Sequence, residues 1–369
     1  MLVADFLGMG IGMIRVKAEK NLTQFFPPAL ILLTGSCVYF SNVLTDGRGY
    51  VCYLHGPITT QSTMGNDPGI ECFFSLSALP FIPLRYAMGK EFKNFPALHA
   101  YAINTAVSLT GLLVFDLLSN FSTPPFVWFG LGGILFLFLA GKRQNSIAYI
   151  LCLGLVLYLT QNLYQKDHET WSPYYKINHY QNLDVTSINV NGSLHQYIIN
   201  FSTPLDSQKS VINEIKQQYQ LPYSFVKSWE DVLILGAGTG NDVHLVLEQG
   251  AKNIDTVEID RTIWKLGKDL NYQKPYDDPR VKVHIDDARA FLKKTKKKYD
   301  VIILGTLDSQ TLLSGMSSIR LDNYIYTGES FRSIREHLKP EGVMVLHHMS
   351  PNIGISFKFS QMLTDIYEI

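Results

Sequence analysis

The chain changes character once, near residue 165, and that change constrains its architecture more than any single motif does. Residues 1–165 are mostly apolar with few charges, whereas residues 166–369 have the mixed composition of a water-exposed domain. Crossing the hydrocarbon of a bilayer takes about 20 mostly apolar residues per helix. Six stretches approach that length: Met1 to Ile14, Pro27 to Val43, Phe73 to Met88, Leu98 to Leu118, Phe126 to Ala140 and Ile147 to Leu163. The expected architecture is therefore a membrane α-helical bundle over 1–165, a polytopic transmembrane region, followed by an α/β part. The first stretch is short and carries Asp5, so an interfacial helix or the remnant of a longer span is the alternative. A cleaved signal peptide is disfavoured, because no cationic residue precedes the apolar run and no small-residue cleavage pattern follows it.

Charge and cysteine usage narrow the class further. Lysine plus arginine equals aspartate plus glutamate, 32 each, and only 17% of residues are charged, so nothing points to nucleic acid as a partner. All four cysteines, Cys37, Cys52, Cys72 and Cys152, lie in the apolar half and show no metal-ligand spacing. Cys52 and Cys72 bracket a Gly/Pro/Thr-rich loop, where a disulfide and two separate thiols are both open readings. Basic residues gather in three connectors: Arg15, Lys17 and Lys20; Arg85, Lys90 and Lys93; Lys142 and Arg143. With six spans all three fall on one side, which the positive-inside rule makes cytoplasmic. Within the spans, Gly130, Gly132 and Gly133 suit helix packing. Asp116 is either a functional acid or a group near a helix end that reaches the interface.

The second half opens with alternating strands around an Asn191-Gly192 turn, which predicts a small antiparallel β-hairpin domain over 166–205. After a helical stretch near Val211 to Gln220 the pattern becomes strand-helix alternation. Apolar strands are expected at Val232 to Leu235, Ile254 to Ile259, Val281 to His284, Val301 to Leu304 and Val343 to Leu346. Helices fit between them, so residues 206–369 are expected to form a parallel, doubly wound, Rossmann-like sheet.

The first of these strands runs into Gly236-Ala237-Gly238-Thr239-Gly240, directly before a helix. Glycines allow the sharp turn there, and the helix N-terminus presents amides to polar or anionic groups. A dinucleotide fingerprint would need its third glycine at Asn241, so nicotinamide and flavin are disfavoured. Glu258 closes the second strand, where a carboxylate can accept both ribose hydroxyl protons, and Asp287 follows the third strand, placed for an exocyclic adenine amine. Glycine loop, acid, acid, in that order along successive strands, predict an adenosyl pocket. The structural alternatives are a solvated strand-end acid at Glu258 and a helix cap at Asp287.

Taken together these pieces resemble the polyamine aminopropyltransferases, the spermidine synthase family, from about Trp171 to Pro351. The matching segments are Ser172-Pro173-Tyr174-Tyr175-Lys176-Ile177, Val190-Asn191-Gly192 with His195-Gln196, the glycine loop, Val257-Glu258-Ile259-Asp260, Asp286-Asp287-Ala288-Arg289, Tyr299-Asp300-Val301-Ile302-Ile303 and Tyr326-Thr327-Gly328-Glu329-Ser330-Phe331. The whole chain resembles the bacterial proteins in which such a domain is fused to a membrane segment. The resemblance implies decarboxylated S-adenosylmethionine as donor and a polyamine or other small amine as acceptor. It implies Gly236, Gly238, Thr239, Gly240, Glu258 and Asp287 on the donor, no metal, and Tyr175, Gln196 and Tyr326 toward the acceptor, although tyrosines on a small hairpin equally serve packing.

Two positions depart from the family pattern. The loop aspartate that holds the donor's amino group is here Thr239, and the aspartate after strand four, which accepts the proton of the attacking amine, is here Gly305. Asp308 is the nearest remaining acid and the expected catalytic group, or else it merely fixes its loop; Asp322 lies farther along. Thr239 also makes the loop resemble S-adenosylmethionine-dependent methyltransferases, which is the alternative enzyme. A non-catalytic adenosyl-ligand sensor on a membrane anchor is the third reading. The expected location is the bacterial inner membrane, with the bilayer as partner and a homo-oligomer open. The charge rule puts the domain outside, whereas a donor made in the cytosol puts it inside. The run Lys293, Lys294, Lys296, Lys297 and Lys298 reads as a solvated face or a contact for anionic lipid. His347 and His348 point to opposite faces, which disfavours a shared metal. The chain stops after the helix Ile355 to Tyr367, where this fold usually continues with an antiparallel pair, and starts inside an apolar run, so truncation at both ends is expected.

Overall fold

The computed structural model describes residues 2–17, 22–45, 68–140, 146–164, 168–191, 193–202, 205–305, 325–347 and 353–367. The chain divides into two compact units, Met1–Lys166 and Asp167–Ile369.

The first unit is helical: α1 Leu2–Ile14, α2 Phe26–Thr45, α3 Pro68–Ala78, α4 Phe81–Phe92, α5 Ala97–Asn120, α6 Pro125–Ala140 and α7 Ser146–Tyr164. The expected span Phe73 to Met88 is broken. It contributes to α3 and α4, which meet at a turn over Leu79 and Pro80, where the proline withholds a backbone donor. Among the described residues one helix, α5, is long and apolar enough to cross a membrane, and almost none of its apolar window is buried. Beside it, shorter apolar helical stretches run over Leu22–Val38, Pro125–Leu137 and Ile147–Asn162 among the described residues. Glycines set the close packing: Gly8 and Gly12, one turn apart on α1, face the backbone carbonyls of Ala78 and Ile82, leaving no room for a Cβ at either position. Gly133 faces Leu153 of α7, while Gly132 faces open space. Asp116 is exposed on α5, and Cys52 lies outside the described residues.

The second unit opens with an antiparallel sheet, β1 Glu169–Trp171, β2 Lys176–Asn182, β3 Val185–Val190 and β4 Ser193–Ile199, in that spatial order. Asn191 takes a left-handed backbone (φ 51°) at the β3–β4 turn, as the Asn-Gly pair predicts; Gly192 lies outside the described residues. There follow α8 Lys209–Gln220, β5 Asp231–Leu235, α9 Asn241–Glu248, β6 Asn253–Glu258, α10 Arg261–Leu270, β7 Val281–Ile285, α11 Ala288–Lys294, β8 Tyr299–Leu304, α12 Gly328–Glu336, β9 Leu338–Leu346 and α13 Ile353–Tyr367. The five later strands form one parallel sheet of order β7-β6-β5-β8-β9. The central strands β5 and β8 are buried on both faces, which is why they read as continuous apolar runs rather than as alternation. The order reverses between β5 and β8, and a crevice at the carboxyl ends of strands on either side of such a reversal is where open α/β sheets bind ligands.

The antiparallel sheet is part of this unit's core. Ile177, Ile188, Val190 and Ile198 bury themselves with Ile263 of α10, with Tyr175, Leu266, Leu270 and Tyr272 packed around them. The amino-terminal ends of the parallel strands are tied by charge: Lys339 reaches Asp231 and Asp300, each at 2.8 Å, and Lys297 reaches Asp231 and Asp255, each at 3.0 Å. Of the lysine run, Lys293, Lys294, Lys296 and Lys298 are exposed, as a solvated face requires, with Lys294 paired to Asp286 at 2.6 Å, while Lys297 alone is half-buried against internal carboxylates.

Candidate functional site

The glycine loop leaves the end of β5 with Gly236, Gly238 and Gly240 all at positive φ (73°, 53° and 94°), a path closed to ordinary side chains. The space that Cβ atoms would take is filled by the protein itself. At Gly238 a Cβ would lie 2.5 Å from Gln196 Oε1, and at Gly240 it would lie 2.9 Å from Pro275 Cγ. The loop's carbonyls are held from below, Tyr276 Oη donating to Gly238 O at 2.7 Å and Asn271 Nδ2 to Thr239 O at 2.9 Å. Helix α10 touches the loop through Gly267, whose missing Cβ would meet Thr239 Cα at 2.6 Å.

Glu258 ends β6 beside this loop. Its Oε2 accepts from Gly238 N at 2.8 Å and its Oε1 from Asp260 N at 2.9 Å. Burial dominates these favourable bonds and pushes its carboxyl up to about 7. It is therefore not a solvated strand-end acid. Asp287 does cap its helix, accepting from Ala290 N at 2.8 Å through Oδ1, so the capping alternative is realised at one oxygen.

The residues expected toward the acceptor separate. Gln196, on β4, meets the glycine loop directly, accepting from Thr239 N and Thr239 Oγ1, both at 3.2 Å. Thr239 is 1% exposed, so its hydroxyl is directed to Gln196 rather than to solvent. Tyr175 packs in the hairpin core, its ring 6.1 Å from that of His195. Tyr326 packs with Phe359 of α13, ring centroids 5.3 Å apart. Asp308 and Asp322 lie outside the described residues, as does His348. Asn241, the first residue of α9, ties that helix to β4, accepting from Ile199 N at 3.3 Å and donating to Tyr197 O at 2.7 Å. An Asn serves there where a dinucleotide fold would have glycine.

One residue the sequence reading passed over sits at the strand reversal. Asp242, in the first turn of α9, is 7% exposed, and its Oδ1 accepts no hydrogen bond among the described residues. Its Oδ2 lies 3.5 Å from where a Cβ on Gly305 would stand, and its Oδ1 lies 3.5 Å from His347 Nε2 at the end of β9. The same Cβ would be 2.5 Å from Gly236 O. An acid two residues beyond the last loop glycine was the available signal in the sequence, but an acid in a helix's first turn is commonplace, so it drew no notice.

This strand order, with a glycine loop after β5 and a buried acid ending β6, defines a Rossmann-like domain of the S-adenosylmethionine-dependent transferase type. Residues 218–360 match the sequence profile of the spermine/spermidine synthase domain. Curated relatives include polyamine aminopropyltransferase 2 of Aquifex aeolicus, 33% identical over 34% of this chain and 25% of the relative. The polyamine aminopropyltransferase of Saccharolobus solfataricus is 32% identical over 37% of this chain and 44% of the relative. The matched segment thus spans less than half the length of either. Among solved structures, a spermidine synthase from Thermotoga maritima aligns with TM-score 0.42 and 18% identity over 55% of this chain and 64% of that one.

Proposed function

We propose that the chain is a membrane-anchored, spermidine synthase-like transferase of the bacterial inner membrane that binds decarboxylated S-adenosylmethionine and passes its aminopropyl group to a polyamine. The observation that carries the donor half is Glu258, a buried carboxylate at the end of β6 hydrogen-bonded to the glycine loop. There it can accept ribose hydroxyls while Asp287 takes the adenine amine. The loop glycines and Thr239 border the donor's sulfonium arm, and Gln196 bridges donor loop and acceptor side. The membrane half of the reading is supported by α5, which is apolar and exposed along its length; at about 1.5 Å per residue its 24 residues are long enough for the hydrocarbon core.

Thr239 and Gly305 favour a second enzyme reading, methyl transfer from S-adenosylmethionine, which proceeds by orientation with little acid-base help. Calorimetric titration of the detergent-purified chain with decarboxylated S-adenosylmethionine, S-adenosylmethionine and methylthioadenosine separates them. Binding of the decarboxylated donor at least tenfold tighter than S-adenosylmethionine is expected. The reverse preference would establish the methyltransferase, and no binding to any of the three would leave a degenerate domain. For the anchor, the full chain is expected to stay with membranes through an alkaline carbonate wash; release into the supernatant would refute a spanning helix.

A further inference from the structure

Aminopropyl transfer needs a proton acceptor. A polyamine is largely protonated at neutral pH, and only the free amine attacks carbon. Gly305, where the family places its acid, has no side chain and no room for one, because Gly236 O lies within 2.5 Å of the Cβ it would need. Yet a carboxylate does reach this spot, from a different element. Asp242 Oδ2 comes within 3.5 Å of that same Cβ position, and the strand reversal between β5 and β8 sets both residues at the carboxyl ends of the sheet.

We propose, resting on the aminopropyl-transfer reading above, that Asp242 and His347 form the proton-accepting pair of this site, standing in space for an acid at position 305. In the step, the acceptor ammonium gives its proton to the Asp242 carboxylate, and the freed nitrogen lone pair forms the new C–N bond to the aminopropyl carbon. The C–S bond breaks with its electron pair going to sulfur, and neutral methylthioadenosine leaves. His347 Nε2, on the other carboxylate oxygen, passes the proton outward.

Three observations support this. Asp242 is not the N-cap of α9, a position held by Gly240. Asp242 Oδ1 and His347 Nε2 are buried, face each other at 3.5 Å and have no hydrogen-bond partner among the described residues; buried polar atoms in that state call for a reason. Among the described residues, the titratable groups facing the pair are neutral at physiological pH. They are Tyr219 of α8, whose ring lies 5.0 Å from that of His347, and the buried phenols of Tyr223 and Tyr276, whose ionisation Asp242 opposes. Among the described residues no charge other than that of His347 acts on the carboxylate, and burial raises its affinity for a proton.

The test follows methylthioadenosine release by the full chain in detergent, with decarboxylated S-adenosylmethionine and putrescine, from pH 6 to 10. Wild type, Asp242→Asn, His347→Gln and Asp308→Asn are compared, with methylthioadenosine affinity measured in parallel. Asp242→Asn is expected to lower kcat about 100-fold or more, with the rate climbing toward alkaline pH as putrescine deprotonates itself, while methylthioadenosine affinity stays within threefold. His347→Gln is expected to shift the acid limb with a smaller loss. A wild-type pH profile in Asp242→Asn overturns the proposal, as does that pH-dependent loss appearing in Asp308→Asn instead; both leave aminopropyl transfer standing. If Asp242→Asn does not fold, an unchanged profile in His347→Gln overturns it. Wild type releasing no methylthioadenosine overturns the aminopropyl reading itself, and the pair's role with it.

Discussion

Replacing Glu258 by glutamine is expected to weaken adenosyl-ligand binding by ten- to a hundredfold at pH 8 and to remove its pH dependence. Hydrogen bonds to a charged acceptor contribute about 1.5–3 kcal/mol each, and the ribose hydroxyls are proposed to donate to this carboxylate. Because burial holds the Glu258 carboxyl at about 7, the ligand-binding ionised form is the minority species below that pH. Wild-type affinity for methylthioadenosine should therefore fall about tenfold per pH unit below 7 and level off above it. The stability effect has the opposite slope. The folded pKa is raised from 4.5 to about 7, so the native state keeps a proton that the unfolded chain releases over that interval. The group's contribution is full below 4.5 and is lost as pH rises through 7. Glutamine abolishes both slopes. It also has a cost of its own: Gly238 N and Asp260 N both donate to this side chain, and an amide has one acceptor oxygen, so about 1–3 kcal/mol of stability is expected to go with the unpaired amide. Truncation to alanine would disturb the loop as well as the ligand, which makes it the poorer test. Calorimetry and thermal unfolding between pH 5.5 and 8.5 check both slopes; pH-independent binding by wild type would remove Glu258 from the pocket.

The parallel sheet was legible because its strands carry local signals. Ile302 and Ile303 belong to a β-branched run long enough for a strand and too short for a helix, and Gly236 to Gly240 mark the strand-to-helix turn. Asn191-Gly192 announced the hairpin in the same way. Other features depend on contacts between residues far apart in sequence, and no local pattern carries those. That Gln196 would close on Thr239 follows from the docking of β4 onto α9 through Asn241, 44 residues from its partner Tyr197. That α1 would pack tightly through Gly8 and Gly12 depends on where α3 ends and α4 begins, and the apolar stretch 73–88 concealed that break because both helices are apolar on either side of Pro80. Asp242 illustrates the same limit: its sequence neighbours assign it to a helix's first turn, and only the pairing of β5 with β8 brings Gly305 against it.

Restoring an acid at position 305 is expected to impair the protein rather than improve it. In Gly305→Asp the new Cβ would press on Gly236 O at 2.5 Å, and neither backbone can withdraw freely. Gly236 N is bonded to Val257 O at 2.9 Å and Gly305 N to Leu235 O at 3.0 Å, both continuing the ladder of the buried sheet. Overpacking of this kind costs about 1–3 kcal/mol. A second carboxylate beside Asp242 adds like-charge repulsion in a desolvated site, which raises the pKa of both acids. Gly305→Ala separates the two contributions. It should lose stability by the steric amount alone and evenly with pH, whereas Gly305→Asp should fall further below alanine as pH rises from 5 to 8, since acids with raised folded pKa values lose stability as they ionise. Methylthioadenosine affinity should drop in both, because Gly236 opens the glycine loop. Thermal unfolding of the three proteins across that pH range, with turnover measured alongside, decides the matter. If Gly305→Asp were as stable as wild type and gained aminopropyl-transfer activity, the site would be one that has lost its acid. If it is destabilised and gains nothing, the glycine is required by the close approach of β5 and β8, and the carboxylate this chemistry needs must come from another element of the fold.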